Sequence, residues 1–513
     1  VFYNLYNWYK LVGILPGFKH NRQFMETMMG VGQSLSAEIK DRIEPHPSWN
    51  TLLGSLRKLR TGLAFIYYHF NIDKIVTRFL LDFDRDYQVY RKKNFAKMRS
   101  DELFLLYLEI NRKFLSKWKA PIINDFLCMV HFGILNALTS KWLAQVNRNL
   151  HNDLLSGEGD MESAEPTKML IRLAHEIRNN HMLHDLVMST SDYQLLEALK
   201  QSEFQEFYAK ACHYIDRFGY RCISEMKMEV KDLYVDPSFM FTCIKNYIRA
   251  GSTDLSAFEA RERALRNAAE TTLHQSLHGW KKIIYLWSLR QARKTLRHRE
   301  NTRFSRTRIY GVIRMLFREL GVRLRQAGVI AASEDIYYLT LQELYGVYQG
   351  TLTAYNLPGI VDLRRKEYCD FEDREPKIRF QTRGPVYWKN EILDTPDLPK
   401  IAPGSDYDLA GIACCPGVVE GRVRVIHSLA DNLALNGEIL VAKRTDPGWI
   451  PIFPSISGLL VERGSLLSHS AIVAREMGIP AVVGIKDLLT TLTDGMRVRM
   501  DGQSGTVKIL ESV

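Results

Sequence analysis

The sequence predicts a multidomain protein of the α + α/β class, in which a large, mainly helical domain precedes a small β/β/α domain. Through the first part of the chain, apolar residues recur every three or four positions, which is typical of helices. From Asp406 onwards, short β-rich runs alternate with brief helices. Prolines at 396, 399 and 403 lie between the two patterns. We therefore predict a helical domain at 1–395, a Pro-rich hinge linker at 396–408 and a swivelling domain at 409–513.

Composition narrows the class of protein. The 513 residues are 46% hydrophobic and 25% charged, as in soluble globular proteins. We find no uninterrupted apolar run approaching the roughly 18 residues that a membrane span needs. The seven cysteines form no CxxC pair, so we expect a reduced, cytoplasmic protein without a metal site. Because the sequence shows no run long enough to span a membrane, we expect no membrane partner either. Because the chain begins with Val1 rather than Met, we also expect the helical domain to be truncated at its N-terminus.

The net charge of +11 comes largely from the segment between Arg261 and Arg325. Its basic residues are interleaved with apolar ones at helical spacing rather than forming a run, which argues against a nucleic-acid partner. Helical spacing brings three arginines to one face, with Glu300 beside them: Arg299, Arg303 and Arg306. A solvated face is the commoner explanation for such a pattern. The alternative is a face that meets an anion.

The N-terminal region predicts successive helices, at 23–29, 34–42, 49–71, 75–91, 101–118 and 122–148. The third of these carries an apolar stripe at helical spacing, formed by Leu53, Leu56, Leu59, Leu63 and Ile66. Such a stripe is typical of a buried helix face, and we expect it to lie in the core.

A stretch near the C-terminus combines a strand, a tight turn and a helix. Residues 457–461 are an apolar run of the kind that a buried parallel strand needs, and Gly464 and Ser465 allow the turn. Ser468 is a suitable N-cap, and residues 470–477 are good helix formers.

His469 then lies at the first turn of that helix, between Ser468 and Ser470, where free backbone N–H groups stabilise anions such as phosphate. Two interpretations follow from the local pattern. The histidine caps the helix, which is the commoner case, or its neutral imidazole acts as a nucleophile towards phosphorus.

Polar residues also gather around a glycine turn in the helical domain. Arg217, Arg221, Glu225 and Lys227 follow one another closely around Gly219. The basic groups are suited to receive a phosphoryl group, and the carboxylate to accept the proton of an acceptor hydroxyl. A salt-bridged turn that only orients two helices explains the pattern equally well.

Four motifs in the last hundred or so residues resemble one known family. They are Gly411-Ile-Ala-Cys-Cys-Pro-Gly-Val-Val-Glu-Gly421, Thr445-Asp-Pro-Gly-Trp449, Gly464-Ser-Leu-Leu-Ser-His-Ser470 and Asp501-Gly-Gln-Ser-Gly505. Together they resemble the phosphohistidine domain of the phosphoenolpyruvate-utilising enzymes, the family of pyruvate phosphate dikinase, phosphoenolpyruvate synthase and rifampicin phosphotransferase. The sequence departs from the family pattern at Ser465, usually Gly or Ala, and at Leu467, usually a hydroxyl or amide residue.

The resemblance implies a phosphotransferase in which His469 carries a phosphoryl group and Gly464, Ser465, Ser468 and Ser470 support it. The helical domain would hold a small-molecule acceptor through the residues around the glycine turn. ATP and Mg²⁺ would bind an ATP-grasp domain, in cis or in trans, which we do not find in this sequence. No cofactor is therefore expected on this chain itself. The domain order resembles that of rifampicin phosphotransferase, because no pyruvate-binding barrel follows.

Two alternatives stay open. Relatives that share the Gly-Ser-x-Leu-Ser-His-Ser variant include condensing enzymes, which activate a carbonyl by ATP-dependent phosphorylation. The second alternative is a ligand-binding module without catalysis on its own. If His469 is a carrier, we expect it to be exposed on the swivelling domain and not held by a carboxylate, since the neutral imidazole must attack.

Overall fold

The structure is a computed structural model that describes residues 4–13, 22, 25–26, 52–147, 149–156, 162, 164–372, 380–382, 392–393, 407–427, 431–466 and 468–511. The chain divides into two compact units. One comprises Val1–Arg85, Trp118–Arg308 and Ala402–Val513, and the other Asp86–Lys117 and Ile309–Ile401. Most of the predicted hinge lies outside the described residues, as do the helices predicted at 34–42 and over most of 23–29.

Helices build nearly all of the described chain before residue 380. In the first unit these are α1 Leu5–Gly13, α4 Lys119–Trp142, α5 Leu150–Leu154, α6 Glu165–Arg178, α7 His181–Ser189, α8 Leu195–Gln201, α9 Gln205–Phe218, α10 Ser238–Arg249 and α11 Leu255–Ser276. Several begin at the residues that favour a helix start. Pro166 stands in the first turn of α6, and the side chains of Asn180 and Asp254 accept backbone N–H bonds at the starts of α7 and α11.

Two long helices run through both units: α2, Leu52–Arg91, and α12, Gly279–Gln326. The second unit adds α3 Ser100–Ser116, α13 Leu341–Gln349 and α14 Leu357–Glu372, with 3₁₀ turns at Phe95–Lys97 and Ser333–Tyr338. The sequence predicted two helices where α2 is continuous. The intervening residues 72–74 contain neither Gly nor Pro, and Asp73 pairs with Lys294 and His298 of α12, which stabilises the helix there.

The prediction of a buried stripe on α2 is wrong at its described positions. Leu56, Leu59, Leu63 and Ile66 are each more than half exposed. The core of this helix is instead formed further along, where Ile72 and Val76 pack with Leu127 of α4. Periodicity shows that a helix has an apolar face, but it does not show whether another element covers that face.

One helix, α4, is long and apolar enough by length and composition to cross a membrane, which the sequence analysis did not single out. Half of its most apolar window is buried. Asn124 donates to the Thr295 backbone oxygen and Thr139 bonds to Tyr285, so polar groups of α4 face α12. Core helices of soluble proteins pass the same test of length and composition.

Residues 407–511, hereafter the C-terminal domain, form a mixed sheet flanked by short helices. Its strands are β3 Leu409–Ala410, β4 Ile412–Cys415, β5 Val418–Ile426, β6 Ile439–Ala442, β7 Gly458–Val461, β8 Ala481–Val483, β9 Arg497–Asp501 and β10 Thr506–Glu511. A separate short pair, β1 Gln381–Thr382 and β2 Ile392–Leu393, precedes them. The order in the main sheet is β3-β10-β9-β5-β6-β7-β8-β4. Strands β5 to β8 pair in parallel, and the remaining pairs are antiparallel. The predicted α + α/β class is thus confirmed.

Apolar residues of the C-terminal domain and of the helices form one continuous core. The 3₁₀ segment Pro447–Ser455 follows β6, and its side chains Trp449, Ile450 and Phe453 are buried in the same cluster as Phe241 of α10. The hydroxyl of Tyr247, also on α10, donates to the Pro451 backbone oxygen. The C-terminal domain is therefore held against the helices in this conformation.

Candidate active site

His469 begins the short helix α15, His469–Glu476, which follows β7 and a tight turn. Glycine is needed at 464 because a Cβ there would lie 2.9 Å from the Cβ of Val483 on the neighbouring strand. Ser468 has the extended backbone of an N-cap and its hydroxyl accepts the N–H of Ala471. The predicted strand–turn–helix arrangement is confirmed, and it places the imidazole at the first turn of the helix.

The other serines of this motif are partly or fully enclosed. Ser465 is buried, and its backbone oxygen accepts the Ser468 N–H at 2.9 Å. Ser470 is also buried, and its hydroxyl lies 2.6 Å from that of Thr445, next to the 3₁₀ segment. In this arrangement Ser465 stabilises the turn before the helix, and Ser470 connects the first turn of the helix to Thr445. A role for them in supporting phosphate remains a prediction.

The side chain of His469 is only 9% exposed and faces helix α12. Its Nδ1 lies 3.5 Å from Glu300 Oε2. Its Nε2 is buried and has no hydrogen-bond partner among the described residues. The expectation of an exposed histidine free of a carboxylate is wrong for this conformation, because the C-terminal domain is packed against the helix that supplies Glu300.

Glu300 is a buried carboxylate among positive groups. Arg299 Nη1 and Arg303 Nη1 lie 3.4 and 3.9 Å from Glu300 Oε1. Burial alone would raise the pKa of Glu300, but the hydrogen bond from His469 and the charges of the two arginines outweigh it and lower the pKa to about 2. The carboxylate is therefore ionised at neutral pH. The sequence favoured a solvated face for these residues. That prediction is wrong for Arg299 and Glu300, because both side chains are buried.

The turn before the 3₁₀ segment connects the C-terminal domain to the glycine turn of the helical domain. Asp446 accepts two backbone N–H bonds, from Gly448 at 2.8 Å and from Ser224 at 2.7 Å. Ser224 adopts a left-handed backbone with φ of 64°. Burial raises the pKa of Asp446, although these bonds and the nearby basic side chains of His469 and Arg221 oppose the rise.

Arg221 and Glu225 form an ion pair at 2.9 Å, and both side chains are buried. Arg221 also donates to the Pro447 backbone oxygen, and its guanidinium lies 5.3 Å from the centre of the Phe304 ring. We expected this pair to face an open acceptor site, but in the structure it is buried and contacts the C-terminal domain. The geometry favours the alternative of a salt-bridged turn, and this turn contacts the C-terminal domain.

Arg217 and Lys227, the other two candidates for acceptor binding, are exposed. The Arg217 guanidinium lies 5.0 Å from the centre of the Phe218 ring, and Lys227 Nζ lies 3.8 Å from Glu229. The structure shows no contact between either side chain and His469. Their proposed role in acceptor binding stays a prediction.

Two polar groups secure the C-terminal domain against the helices elsewhere. Asn246 of α10 is fully buried, donates to the Leu433 backbone oxygen at 2.7 Å and accepts the Leu435 N–H at 3.1 Å. Arg475 of α15 donates to Asn152 Oδ1 at 2.7 Å. These bonds join the two parts at points away from His469.

We expect Asn246→Ala to lower the free energy of unfolding by about 2–4 kcal/mol, because a buried carbonyl and a buried N–H each lose their partner. Urea denaturation measures the loss. Asn179→Ala is the matched control, since that amide bonds an exposed histidine side chain and its removal should change stability by less than about 0.5 kcal/mol. Equal effects in the two variants would contradict the assignment of Asn246 as an anchor.

Sequence reasoning did not pair Glu300 with His469, or Asp446 with Ser224. A signal for Glu300 was present, since no acidic residue occurs between Glu270 and Glu300 although the segment is rich in Lys and Arg. An acid that stands alone within such a basic stretch is a candidate for a buried counter-charge. Its partner, His469, lies 169 positions further along the chain, so no local sequence pattern could identify the pair.

Two family models match the chain. The mobile domain of PEP-utilising enzymes matches residues 434–505, which contain His469, and the fourth domain of rifampicin phosphotransferase matches residues 123–300, which end at Glu300. The chain therefore carries the mobile domain that defines the phosphoenolpyruvate-utilising enzymes. Both halves of the candidate site fall within matched residues.

Named relatives are similar to a larger share of the chain than either family model matches. It is 29% identical to rifampicin phosphotransferase of Bacillus subtilis over 388 residues, covering 73% of this chain and 43% of that protein. The figures for rifampicin phosphotransferase of a Streptomyces species are 29% over 390 residues, with the same shares. Over 73% of its length the chain is therefore similar to rifampicin phosphotransferases, and within that similarity residues 434–505 match the mobile domain of PEP-utilising enzymes.

Other matches are more limited. An uncharacterized phosphotransferase of Bacillus subtilis, YvkC, is 25% identical over 70% of this chain and 43% of its own length. The holo-form of Thermococcus kodakaraensis aconitase X, a solved structure, is 25% identical and covers 20% of this chain and 98% of its own, but the TM-score of 0.18 supports no structural comparison. The chain spans less than half the length of the curated relatives named here.

Proposed function

We propose that His469 receives a phosphoryl group on Nε2 and passes it to a small-molecule acceptor held by the helical domain. The observation that carries this proposal is the asymmetry of the imidazole. Nδ1 faces the Glu300 carboxylate, whereas Nε2 is free of any described hydrogen-bond partner. A carrier needs one nitrogen to be oriented and the other to be available as the nucleophile.

Glu300 sets the protonation of the ring. Its carboxylate, ionised at neutral pH, favours a proton on Nδ1 and so leaves the Nε2 lone pair for attack on phosphorus. Once Nε2 carries the phosphoryl group and Nδ1 keeps its proton, the ring is positively charged. Glu300 then stabilises that charge, and a positively charged ring is a good leaving group in the next transfer.

In the transfer step, His469 gives up the phosphoryl group and takes up one proton. The P–N bond at Nε2 breaks as a P–O bond forms to an acceptor hydroxyl, and the hydroxyl proton moves to Nε2. The product is an imidazolium opposite Glu300, which returns to the neutral ring when it loses that proton to solvent. Arg299 and Arg303 lie beside Glu300 and supply positive charge near the phosphoryl oxygens.

The enclosed position of His469 supports transfer at this interface. Nε2 is shielded from water, which limits hydrolysis of a labile P–N bond. Because His469 is enclosed here, the C-terminal domain must separate from the helices before His469 can be phosphorylated at another site. We propose that ATP and Mg²⁺ are bound for that step by an ATP-grasp domain, in cis or in trans, and that the 396–408 linker acts as the hinge.

His469→Ala tests the proposal in the protein together with its ATP-grasp domain and radiolabelled ATP. We expect acid-labile, base-stable label on the wild type and none on the variant, because the nucleophile is missing. His427→Ala is the matched control, an exposed histidine of the same domain whose removal should leave labelling unchanged.

Circular dichroism of His469→Ala should match that of the wild type. Label that persists in His469→Ala, or that resides on a serine or aspartate, would contradict His469 as the carrier.

A further inference from the structure

The first half of helix α2 presents an apolar face that no other described residue covers. Five of its residues, spaced alternately three and four apart, are 55–74% exposed: Leu56, Leu59, Leu63, Ile66 and Phe70. This spacing places them along one side of the helix over about 21 Å. Soluble proteins rarely leave such a continuous stripe open unless something binds it.

Helix α12 runs beside α2 in the same direction and adds to this face. Asp73 pairs with His298 and Asp84 with Arg308, at sequence separations of 225 and 224. The same offset brings residues 280–294 alongside 56–70. There α12 exposes four large apolar side chains: Trp280, Ile283, Ile284 and Trp287.

The aromatic rings connect the two helices. The His69 ring lies 4.9 Å from that of Phe70 and 5.7 Å from that of Trp287, measured between centroids. Trp280 in turn packs edge-to-face against Trp142 at 5.7 Å. The nine exposed apolar residues of α2 and α12 named above are called the basic-apolar face below, because basic residues accompany them.

The charge around the basic-apolar face has one sign. No acidic residue occurs at 52–72 or at 271–299. The described basic residues of these segments that accompany the apolar ones are Arg60, Lys281, Lys282 and Arg290. An occupant of this face must therefore be apolar where it meets the helices and negatively charged around that contact.

We propose that the basic-apolar face binds the surface of an anionic lipid bilayer, with α2 and α12 lying in the plane of the headgroups. Apolar and aromatic residues on one side of a helix, flanked by Lys and Arg, are the features of interfacial helices. Tryptophan favours the headgroup region because its ring is apolar and its N–H is polar. This proposal departs from the expectation of no membrane partner, which rested on the lack of an apolar run long enough to span a membrane.

Two other occupants fit the face less well. A second copy of the chain would bring the same basic residues together without any acid in these segments to offset them. An acidic amphipathic helix of another protein would fill one groove, whereas the exposed residues here extend across two neighbouring helices.

Vesicle co-sedimentation of the full chain tests the proposal. We expect the wild type to bind vesicles of phosphatidylcholine with 30% phosphatidylglycerol, and to bind pure phosphatidylcholine at least about ten-fold more weakly. Phe70→Glu/Ile283→Glu should lower binding to the anionic vesicles at least about ten-fold. Lys281→Gln/Lys282→Gln should lower it about five-fold for each lysine and leave the apolar face intact.

Met182→Glu is the matched control, because Met182 is as exposed as these residues but lies on α7. It should bind anionic vesicles like the wild type. All variants should keep the wild-type melting temperature, since the substituted side chains are exposed. Trp287 precedes Glu300 by 13 residues, about 20 Å along α12, so these changes do not reach the His469 site.

The proposal is overturned if the wild type does not bind anionic vesicles. It is also overturned if Phe70→Glu/Ile283→Glu binds them as well as Met182→Glu does. Analytical ultracentrifugation separates the remaining cases. A wild-type dimer that the double Glu variant dissociates, without vesicle binding, would assign the face to a second copy. Binding of an acidic amphipathic peptide in place of vesicles would assign it to a protein partner.

Discussion

Gly448→Ala should release the C-terminal domain from the helices while leaving its own sheet folded. A Cβ at Gly448 would lie 1.9 Å from the Cys222 backbone oxygen and 2.7 Å from the Ile223 Cα. Both obstacles are backbone atoms, so no side-chain rotation relieves the clash. We expect a loss of at least about 3 kcal/mol in the packed arrangement, at the upper end of overpacking costs.

Hydrogen exchange measures this release at the Ser224 amide, whose N–H bonds Asp446 only while the two parts are in contact. Its protection should fall at least about 100-fold in Gly448→Ala, which corresponds to about 3 kcal/mol. Gly421→Ala is the matched control, because a Cβ there meets its nearest atoms at 3.6 Å. Unchanged protection at Ser224 in Gly448→Ala would show that the 3₁₀ segment does not lie against this turn.

Glu300→Gln should destabilise the protein by about 3–5 kcal/mol, because it leaves buried positive charge without its counter-charge. The substitution keeps the size of the side chain, so the effect reports charge rather than packing. Chemical denaturation at pH 7 measures it. Glu229→Gln is the matched control, since its ion pair with Lys227 is nearly half exposed and should contribute less than about 1 kcal/mol.

The same substitution has a defined pH dependence. The pKa of Glu300 is about 2 in the folded protein and 4.5 in the reference state. A lowered pKa contributes stability above pH 4.5 that is lost as pH falls through the folded value of about 2. The difference in stability between wild type and Glu300→Gln should therefore shrink between pH 4.5 and 2. A difference that stayed constant over this range would contradict the assignment of the ionised carboxylate.

Local sequence patterns predicted much of the C-terminal domain. The apolar run predicted at 457–461 contains β7, and the turn at Gly464 leads into the helix of His469 as expected. Strand β4, Ile412–Cys415, and the 3₁₀ segment Pro447–Ser455 were not predicted. The first is short, and the second contains three prolines, so neither shows a clear period.

The candidate site was only half predictable. His469 could be found because helix starts and phosphate chemistry have local sequence features. Glu300 and the Cys222–Gly448 contact depend on how the C-terminal domain packs on the helices, and no local period encodes that packing. The exposed stripe of α2 shows the same limit, since its periodicity was correct and its burial was not.

The core shared by Trp449, Phe453 and the helices has a consequence for how release of the C-terminal domain responds to temperature. Separation would expose apolar side chains that are buried within one cluster. Such exposure carries a positive heat-capacity change and behaves thermodynamically like partial unfolding rather than like rigid rotation about a tether. The hydrophobic contribution to the packed arrangement weakens on cooling, so the free energy needed to separate the two parts changes with temperature.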